Sequence, residues 1–309
     1  MSRYQLEAWT ASLATWLVRA MPRRAALALG ALVGRIMAAI DRRHVGIAQE
    51  NLRLSFPEWT PDRLRATAVG VYRHFGRVVF DILWMQGRSQ NDILPFLEFE
   101  GTEHIEGPVG QRGILFCTAH IGNWEIYAIA HAWHHGPVSV VARPLDNPKL
   151  DARLCAFRVS SGNTVIYKKK ALPQIIRTLR SGGSVAMLLD QNVQAKDGIF
   201  VEFFGRPAAT TTAAAALAVK TGCALVPCHT ELLKDGRYRL SYDPPLAWTP
   251  SGDRDKDIQR ITQELAGLAE AWIRRNPEQW LWMHRRWKTR PPVEEVWPTT
   301  RAPLKEPRA

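Results

Sequence analysis

His120 and Glu125 stand in the stretch Thr118-Ala119-His120-Ile121-Gly122-Asn123-Trp124-Glu125, directly behind the apolar run Gly113-Ile114-Leu115-Phe116-Cys117. That run reads as a buried strand, and the residues from Glu125 to His135 are helix formers. A histidine on the turn at a strand's carboxyl end, with an acid five residues on, could form a proton-transfer pair. Five is a poor spacing for two side chains on one helix face, where three and four are productive. His120 is therefore assigned to the turn, and Asn123 is a candidate for the helix cap. Glu125, one turn in, could reach back and hold the imidazole by its second nitrogen. An isolated His-x4-Glu is more often a loop histidine beside a surface acid, so the surroundings have to decide.

Two further residues follow strand-like runs directly. Arg143 precedes a proline and so sits in extended chain. Its planar fork of donors suits phosphate or carboxylate, although Asp146 or Asp190 could pair with it internally. Asp190 and Gln191 end a run that should be buried, where a solvated acid is out of place. Asp190 could hold an arginine or accept sugar hydroxyls. In sheets with parallel strands, ligands gather at the carboxyl ends, and His120, Arg143 and Asp190 all fall there. Asn123, Arg143, Asp190 and Gln191 are the substrate-binding candidates. Phe203-Phe204-Gly205 reads either as the border of an acyl channel or as an apolar turn, and Thr210 to Thr212 as a helix cap. His131, His134 and His135 lack carboxylate or cysteine companions, so no metal site is expected.

The elements that must position these residues are legible from periodicity. Helices are expected at Gln5–Ala20, Arg24–Ile40, Asp41–Arg53 and Pro61–Met85. Strands are expected at Gly113–Cys117, Val138–Ala142, Thr164–Tyr167, Ser184–Leu189, Ala224–Glu231 and Tyr238–Tyr242. Helices at Asn123–His135, Asn147–Ser161, Ala171–Arg180 and Thr210–Thr221 alternate with them, and Asp257–Asn276 closes the series. The order implies an α/β fold, a mixed sheet flanked by helices. It divides into a helical N-terminal region (1–95), a catalytic α/β domain (96–290) and a loose tail (291–309).

Lys and Arg number 41 against 29 Asp and Glu, a net charge of +12 in 309 residues. Such a balance calls for an anionic partner. Zinc-finger spacing and ribonucleoprotein signatures are missing, so nucleic acid is the weakest choice and an acidic membrane surface the best. Cys117, Cys155, Cys223 and Cys228 form no Cys-x-x-Cys pair and read as free thiols in a reducing compartment. No run of about 20 apolar residues spans a bilayer. Leu6, Trp9, Leu13, Trp16 and Leu17 recur at helical spacing with Arg19, Arg23 and Arg24 behind them. That pattern suits a helix lying on a membrane, or else one packed on the protein's own core. Arginines within the apolar region argue against a cleaved signal peptide.

The string His120-Ile121-Gly122-Asn123-Trp124-Glu125 resembles the bacterial lipid A biosynthesis acyltransferases, a branch of the glycerolipid acyltransferase superfamily. Matching segments include Ala142 to Pro148, Met187 to Asn192, Phe203 to Pro207, Leu225 to Pro227, Trp282 to Lys288 and Asn51 to Glu58. The resemblance implies a glycerolipid-acyltransferase-like fold and catalysis by His120 with Glu125. The wider superfamily carries Asp at the position of Glu125. The implied reaction moves a fatty acyl chain from acyl carrier protein onto a hydroxyl of a lipid A precursor, with no cofactor. Enzymes of this kind sit at the cytoplasmic face of the bacterial inner membrane. Family members often carry an N-terminal transmembrane anchor; this chain departs from that, and monotopic binding is expected. A phosphatidylinositol-mannoside or lysophospholipid acceptor, with a coenzyme A thioester as donor, stays open. So does a lipid-binding protein without turnover, although both residues of the pair are present.

Overall fold

The computed structural model describes residues 2–107, 112–168 and 171–292. The expected tail lies, from residue 293 on, outside them. The chain opens on helices α1 (Arg3–Arg19), α2 (Arg23–Ile40), α3 (Arg42–Ser55), α4 (Pro61–Met85) and the short α5 (Gln90–Ile93). Their starts follow local chemistry. Ser2 and Gln5 form a capping box on α1, and Thr60 caps α4 with Pro61 in its first turn. Close approach of α2 to α4 is why both carry glycines. A Cβ on Gly30 would lie 2.5 Å from the Gly76 carbonyl oxygen, and one on Gly34 2.1 Å from that of Tyr72.

Strands β1 (Leu97–Glu100), β2 (Ile114–Thr118), β3 (Val138–Ala142), β4 (Thr164–Tyr167), β5 (Ser184–Leu188), β8 (Ala224–Leu232) and β9 (Tyr238–Tyr242) form one sheet. Its order is β1-β9-β8-β2-β5-β3-β4. Strands β8, β2, β5, β3 and β4 run parallel, while β9 pairs antiparallel with β8 and parallel with β1. The crossovers carry α6 (Trp124–His135), α7 (Pro148–Val159) and α8 (Ala171–Arg180); α9 (Ala213–Thr221) precedes β8 and α10 (Arg254–Arg275) follows β9.

Strand β2 is buried on both faces, which is why its sequence is an unbroken apolar run. Its alternation divides the core. Ile114 and Phe116 join Val138, Val226 and the α6 residues Ile126 and Ile129. Leu115 and Cys117 join Val185, Leu225, Ile175 of α8, Leu217 of α9 and Ile261 of α10. All four cysteines are free, as expected from their spacing.

Three features differ from the sequence reading. Strand β1 was not foreseen, because Leu97-Glu98-Phe99-Glu100 is too short to show a period. Residues Ile199–Phe203 (β6) and Arg206–Thr210 (β7) form an antiparallel hairpin apart from the main sheet. Its two-residue turn is Phe204-Gly205, both with positive φ (56° and 67°), as such tight turns require. Thr210 therefore belongs to β7 and not to a helix start, and α9 begins at Ala213.

Candidate active site

Strand register brings the two central side chains together. Thr118 of β2 is paired with Leu188 of β5. Each strand then leaves the sheet, and His120 and Asp190 each lie two residues past that rung. The imidazole Nδ1 is 2.8 Å from Asp190 Oδ1, while Asp190 Oδ2 accepts from the His120 main-chain N–H at 2.9 Å and from Trp280 Nε1 at 2.7 Å. Asp190 is buried. Burial by itself pushes its carboxyl up, but the imidazole beside it and these donors outweigh burial and hold it at about 2.

An ionised carboxylate can only accept, so Nδ1 must carry the proton. In the neutral imidazole this tautomer puts the lone pair on Nε2, the form a general base needs. Its partner is the exposed Gln191, whose side-chain nitrogen lies 3.3 Å away. The edge of Trp124 packs against the imidazole, ring centroids 4.9 Å apart. Gln191, a substrate-binding candidate from sequence, thus adjoins His120.

The expectation that Glu125 reaches back to the imidazole is not met. Its two carboxylate oxygens accept from Arg158 of α7, at 2.7 Å from Nε and 2.5 Å from Nη2, and both side chains are largely buried. Glu125 is in the first turn of α6, and its side chain ties α6 to α7 where Asp190 takes the imidazole. Asn123 is not an exposed substrate ligand either. It is fully buried, and its Oδ1 caps α6 by accepting from Ile126 N–H. Arg143 points into solvent: its side chain is 79% exposed, with Asp146 at 3.8 Å, the internal pairing weighed from sequence. The geometry does not join it to His120 or Asp190.

Several residues that frame the site were not singled out as candidates, although Gly122, Asn192 and His284 lie within the matching segments. Asn192 N–H donates to His284 Nε2 at 3.0 Å, and the Asn192 side chain exchanges hydrogen bonds with Thr289, which anchors the segment after Asp190. The His120 turn is fixed from below. Thr230 Oγ1 accepts from Asn123 N–H and donates to the Ile121 carbonyl, and His74 of α4 donates from Nε2 to the Gly122 carbonyl at 3.1 Å. Gly122 has φ +60°, and a Cβ there would sit 2.1 Å from the Thr230 carbonyl oxygen. Only glycine fits that turn.

Arg286 is 1% exposed, bonded to the Ala209 carbonyl and to Thr210 Oγ1. Burial pushes its guanidinium down to about 10, opposed by the charge of Asp190. Arg286, Asp190, Thr118 and Ala266 share the lining of a small cavity of about 20 Å³, room for one water. Cys117 is no nucleophile, because burial raises its thiol far above the ordinary range. Among the described residues, no group of three His, Cys, Asp or Glu is arranged to hold a metal.

The N-terminal helix is inverted relative to an ordinary surface helix. Its polar side meets the protein: Asn147 donates to the Tyr4 carbonyl and to Glu7, and Arg153 donates to Ser12 and Thr15. Its apolar side faces out, with Trp9 60% and Trp16 69% exposed alongside Leu6, Leu13 and Leu17. Leu29, Leu32, Ile36 and Ile40 of α2 are exposed as well. Packing of this face on the protein's own core, the competing reading, is thereby ruled out. Among the described residues no helix is long and apolar enough to cross a membrane.

Comparison with known proteins identifies the family. The family described as bacterial lipid A biosynthesis acyltransferase matches residues 1–289. A lipid A biosynthesis lauroyltransferase of Escherichia coli K12 is 30% identical over 94% of this chain and 93% of its own. The palmitoleoyltransferase of the same organism is 25% identical over 89% of each chain. A phosphatidylinositol mannoside acyltransferase of Mycobacterium tuberculosis is 27% identical over 75% of this chain and 72% of its own. With a match that runs almost from end to end, the chain belongs to the bacterial lipid A biosynthesis acyltransferase family.

Proposed function

We propose that this acyltransferase moves a fatty acyl chain from acyl carrier protein to a hydroxyl of a lipid A precursor, with His120 as general base. The observation that carries this reading is the bond from His120 Nδ1 to the buried Asp190, which leaves Nε2 free to take a proton. The acceptor hydroxyl would replace Gln191 at Nε2. As its proton passes to Nε2, the oxygen attacks the thioester carbonyl, and Asp190 stabilises the imidazolium that forms. Collapse of the tetrahedral species breaks the C–S bond. The departing thiolate then takes the proton from Nε2, which yields ester and thiol and restores the base. Among the described residues none near His120 offers an activated nucleophile, which supports direct attack by the acceptor over an acyl-enzyme.

In this reading residues 1–95 form the membrane-associated part and 96–290 the catalytic domain. The outward apolar faces of α1 and α2 would lie in the interface at the cytoplasmic side of the inner membrane. A net charge of +12 suits an acidic carrier protein and a phosphorylated acceptor alike. The likeness to a phosphatidylinositol mannoside acyltransferase supports a second acceptor class, another glycolipid, for which a coenzyme A thioester is the alternative donor to test. Purified protein should be given acyl carrier protein and coenzyme A thioesters in turn, with a lipid A precursor, a phosphatidylinositol mannoside and a lysophospholipid. Mass spectrometry should show acyl gain on the lipid A precursor from the carrier-protein donor. Gain only on another lipid would replace that acceptor.

A further inference from the structure

Apart from the His120 site, α1, the end of α4 and α7 enclose an open cavity of about 500 Å³ lined by Ser12, Thr15, Trp16, Arg19, Arg88 and Arg153. Three guanidiniums converge on it, and the partners they have are neutral. Arg153 donates to the hydroxyls of Ser12 (2.6 Å) and Thr15 (2.9 Å) and to Gln86 Oε1 (3.3 Å). Arg88 stacks on Trp84, 3.9 Å from the ring centroid, and donates to the carbonyls of Trp84 and Arg19. Arg19 makes one long contact, 3.5 Å to the Gly87 carbonyl, and is otherwise open to solvent. Cationic forks held by carbonyls and hydroxyls keep their full charge. They are oriented in advance for an anion with several oxygens.

The rim of the cavity says where that anion comes from. Trp16 lines it and is 69% exposed, on the apolar side of α1 that also bears Trp9 and Leu13. A ligand here would hold its anionic group among the arginines while its apolar part lay beside the tryptophan. Tryptophan beside arginine is the pairing found at the level of lipid headgroups. We propose that Arg19, Arg88 and Arg153 form a binding site for the phosphate of an anionic membrane lipid, separate from the acyl-transfer site. This rests on the reading that the outer face of α1 lies in a membrane interface. Arg153 shares α7 with Arg158, the partner of Glu125, so a lipid held there would fix the catalytic domain's attitude to the bilayer.

Flotation of the full chain with vesicles at 0.15 M salt tests it, using phosphatidylcholine alone and phosphatidylcholine with phosphatidylglycerol. Arg19→Gln/Arg88→Gln is compared with Arg177→Gln/Arg180→Gln on α8, which removes equal charge from exposed positions. Removing two arginines from a built site should lower partitioning to the phosphatidylglycerol vesicles by ~30-fold or more. The control pair should lose within ~5-fold, and binding to phosphatidylcholine should be the same for both. Arg19→Gln alone, which disturbs one long contact, provides a variant with minimal risk to folding and should lose ~5-fold or more. Equal losses for the two pairs, or no preference of the parent for phosphatidylglycerol, would overturn the headgroup site. Binding to neither vesicle would overturn the interfacial reading of α1 and this site with it.

Discussion

Replacing Asp190 by Asn tests the arrangement at the level of single atoms. Asp190 Oδ1 accepts from the imidazole, and Oδ2 accepts from the His120 main chain and from Trp280. An amide has one accepting oxygen. If that oxygen takes the Oδ2 place, where it satisfies two donors, its NH₂ faces Nδ1. Nδ1 must then accept, the proton moves to Nε2, and the base is blocked. Charge is lost too. A carboxyl held at about 2, below the ordinary 3.8, reflects roughly 2–3 kcal/mol in favour of its ionised form, at ~1.4 kcal/mol per pH unit. Loss of that stabilisation for an imidazolium transition state costs ~10²-fold in turnover, and the wrong tautomer extends this toward ~10⁴-fold. Glu125→Gln should behave differently. It strands the largely buried Arg158 without its anion, which costs about 3–5 kcal/mol of stability. Adding Arg158→Met should restore much of it. The assay is single-turnover acyl transfer with a thermal melt for each variant. Asp190→Asn within ~10-fold of the parent, while Glu125→Gln is dead with an unchanged Tm, would refute this assignment.

Other expectations follow from the same geometry. Gly122→Ala should cost about 2 kcal/mol or more and disable transfer, because φ +60° and the Thr230 carbonyl both oppose a Cβ; a normal melt would show that the turn relaxes. Arg143→Ala should change kcat and KM for the lipid by less than ~3-fold, since the side chain stands in solvent with only Asp146 near; a rise in KM above ~10-fold would place a substrate phosphate at Arg143. Burial lowers His74 to about 4 and His131 and His229 to about 3. The folded state thus binds fewer protons than the unfolded one below about pH 6.5, so stability is full above that pH and falls as pH drops toward the folded values, by about 2 kcal/mol per histidine at pH 5. Denaturant midpoints unchanged from pH 7 to 5 would contradict neutral burial of all three.

What the sequence could show depended on whether a feature was local. Strands β3, β4 and β9 and helices α4 and α8 begin and end where periodicity and caps place them, because burial of one stripe or one run is written in consecutive residues. The outward stripe of α1 was equally plain, yet only tertiary structure could say which way it faced. Its polar side is claimed by Asn147 and Arg153, more than a hundred residues away. The turn at Phe204-Gly205 could be read from sequence, but the hairpin β6–β7 was missed because Arg206-Pro207-Ala208-Ala209-Thr210 lacks the β-branched and aromatic alternation of a strand.

The partner of His120 shows the same limit at the site itself. Within the motif, Glu125 is the nearest acid, and proximity along the chain makes it the natural orienter. In the fold, parallel pairing of β2 with β5 sets His120 and Asp190 at equal distances past one rung, so nearness across the sheet wins over nearness along the chain. Asp190 was visible as an acid at the end of a buried run, and equal offset from paired strand ends was the signal available for joining it to His120. Strand order was not, since β5 enters between β2 and β3 only after three crossovers. The Glu125–Arg158 pair then has its own reason to exist. It locks α6, which follows directly on the turn that carries the base, against α7, whose other arginine lines the cavity beside α1. Breaking that pair from either side leaves a largely buried charge without its counter-ion, so the seam between α6 and α7 is held by two residues that must stay together.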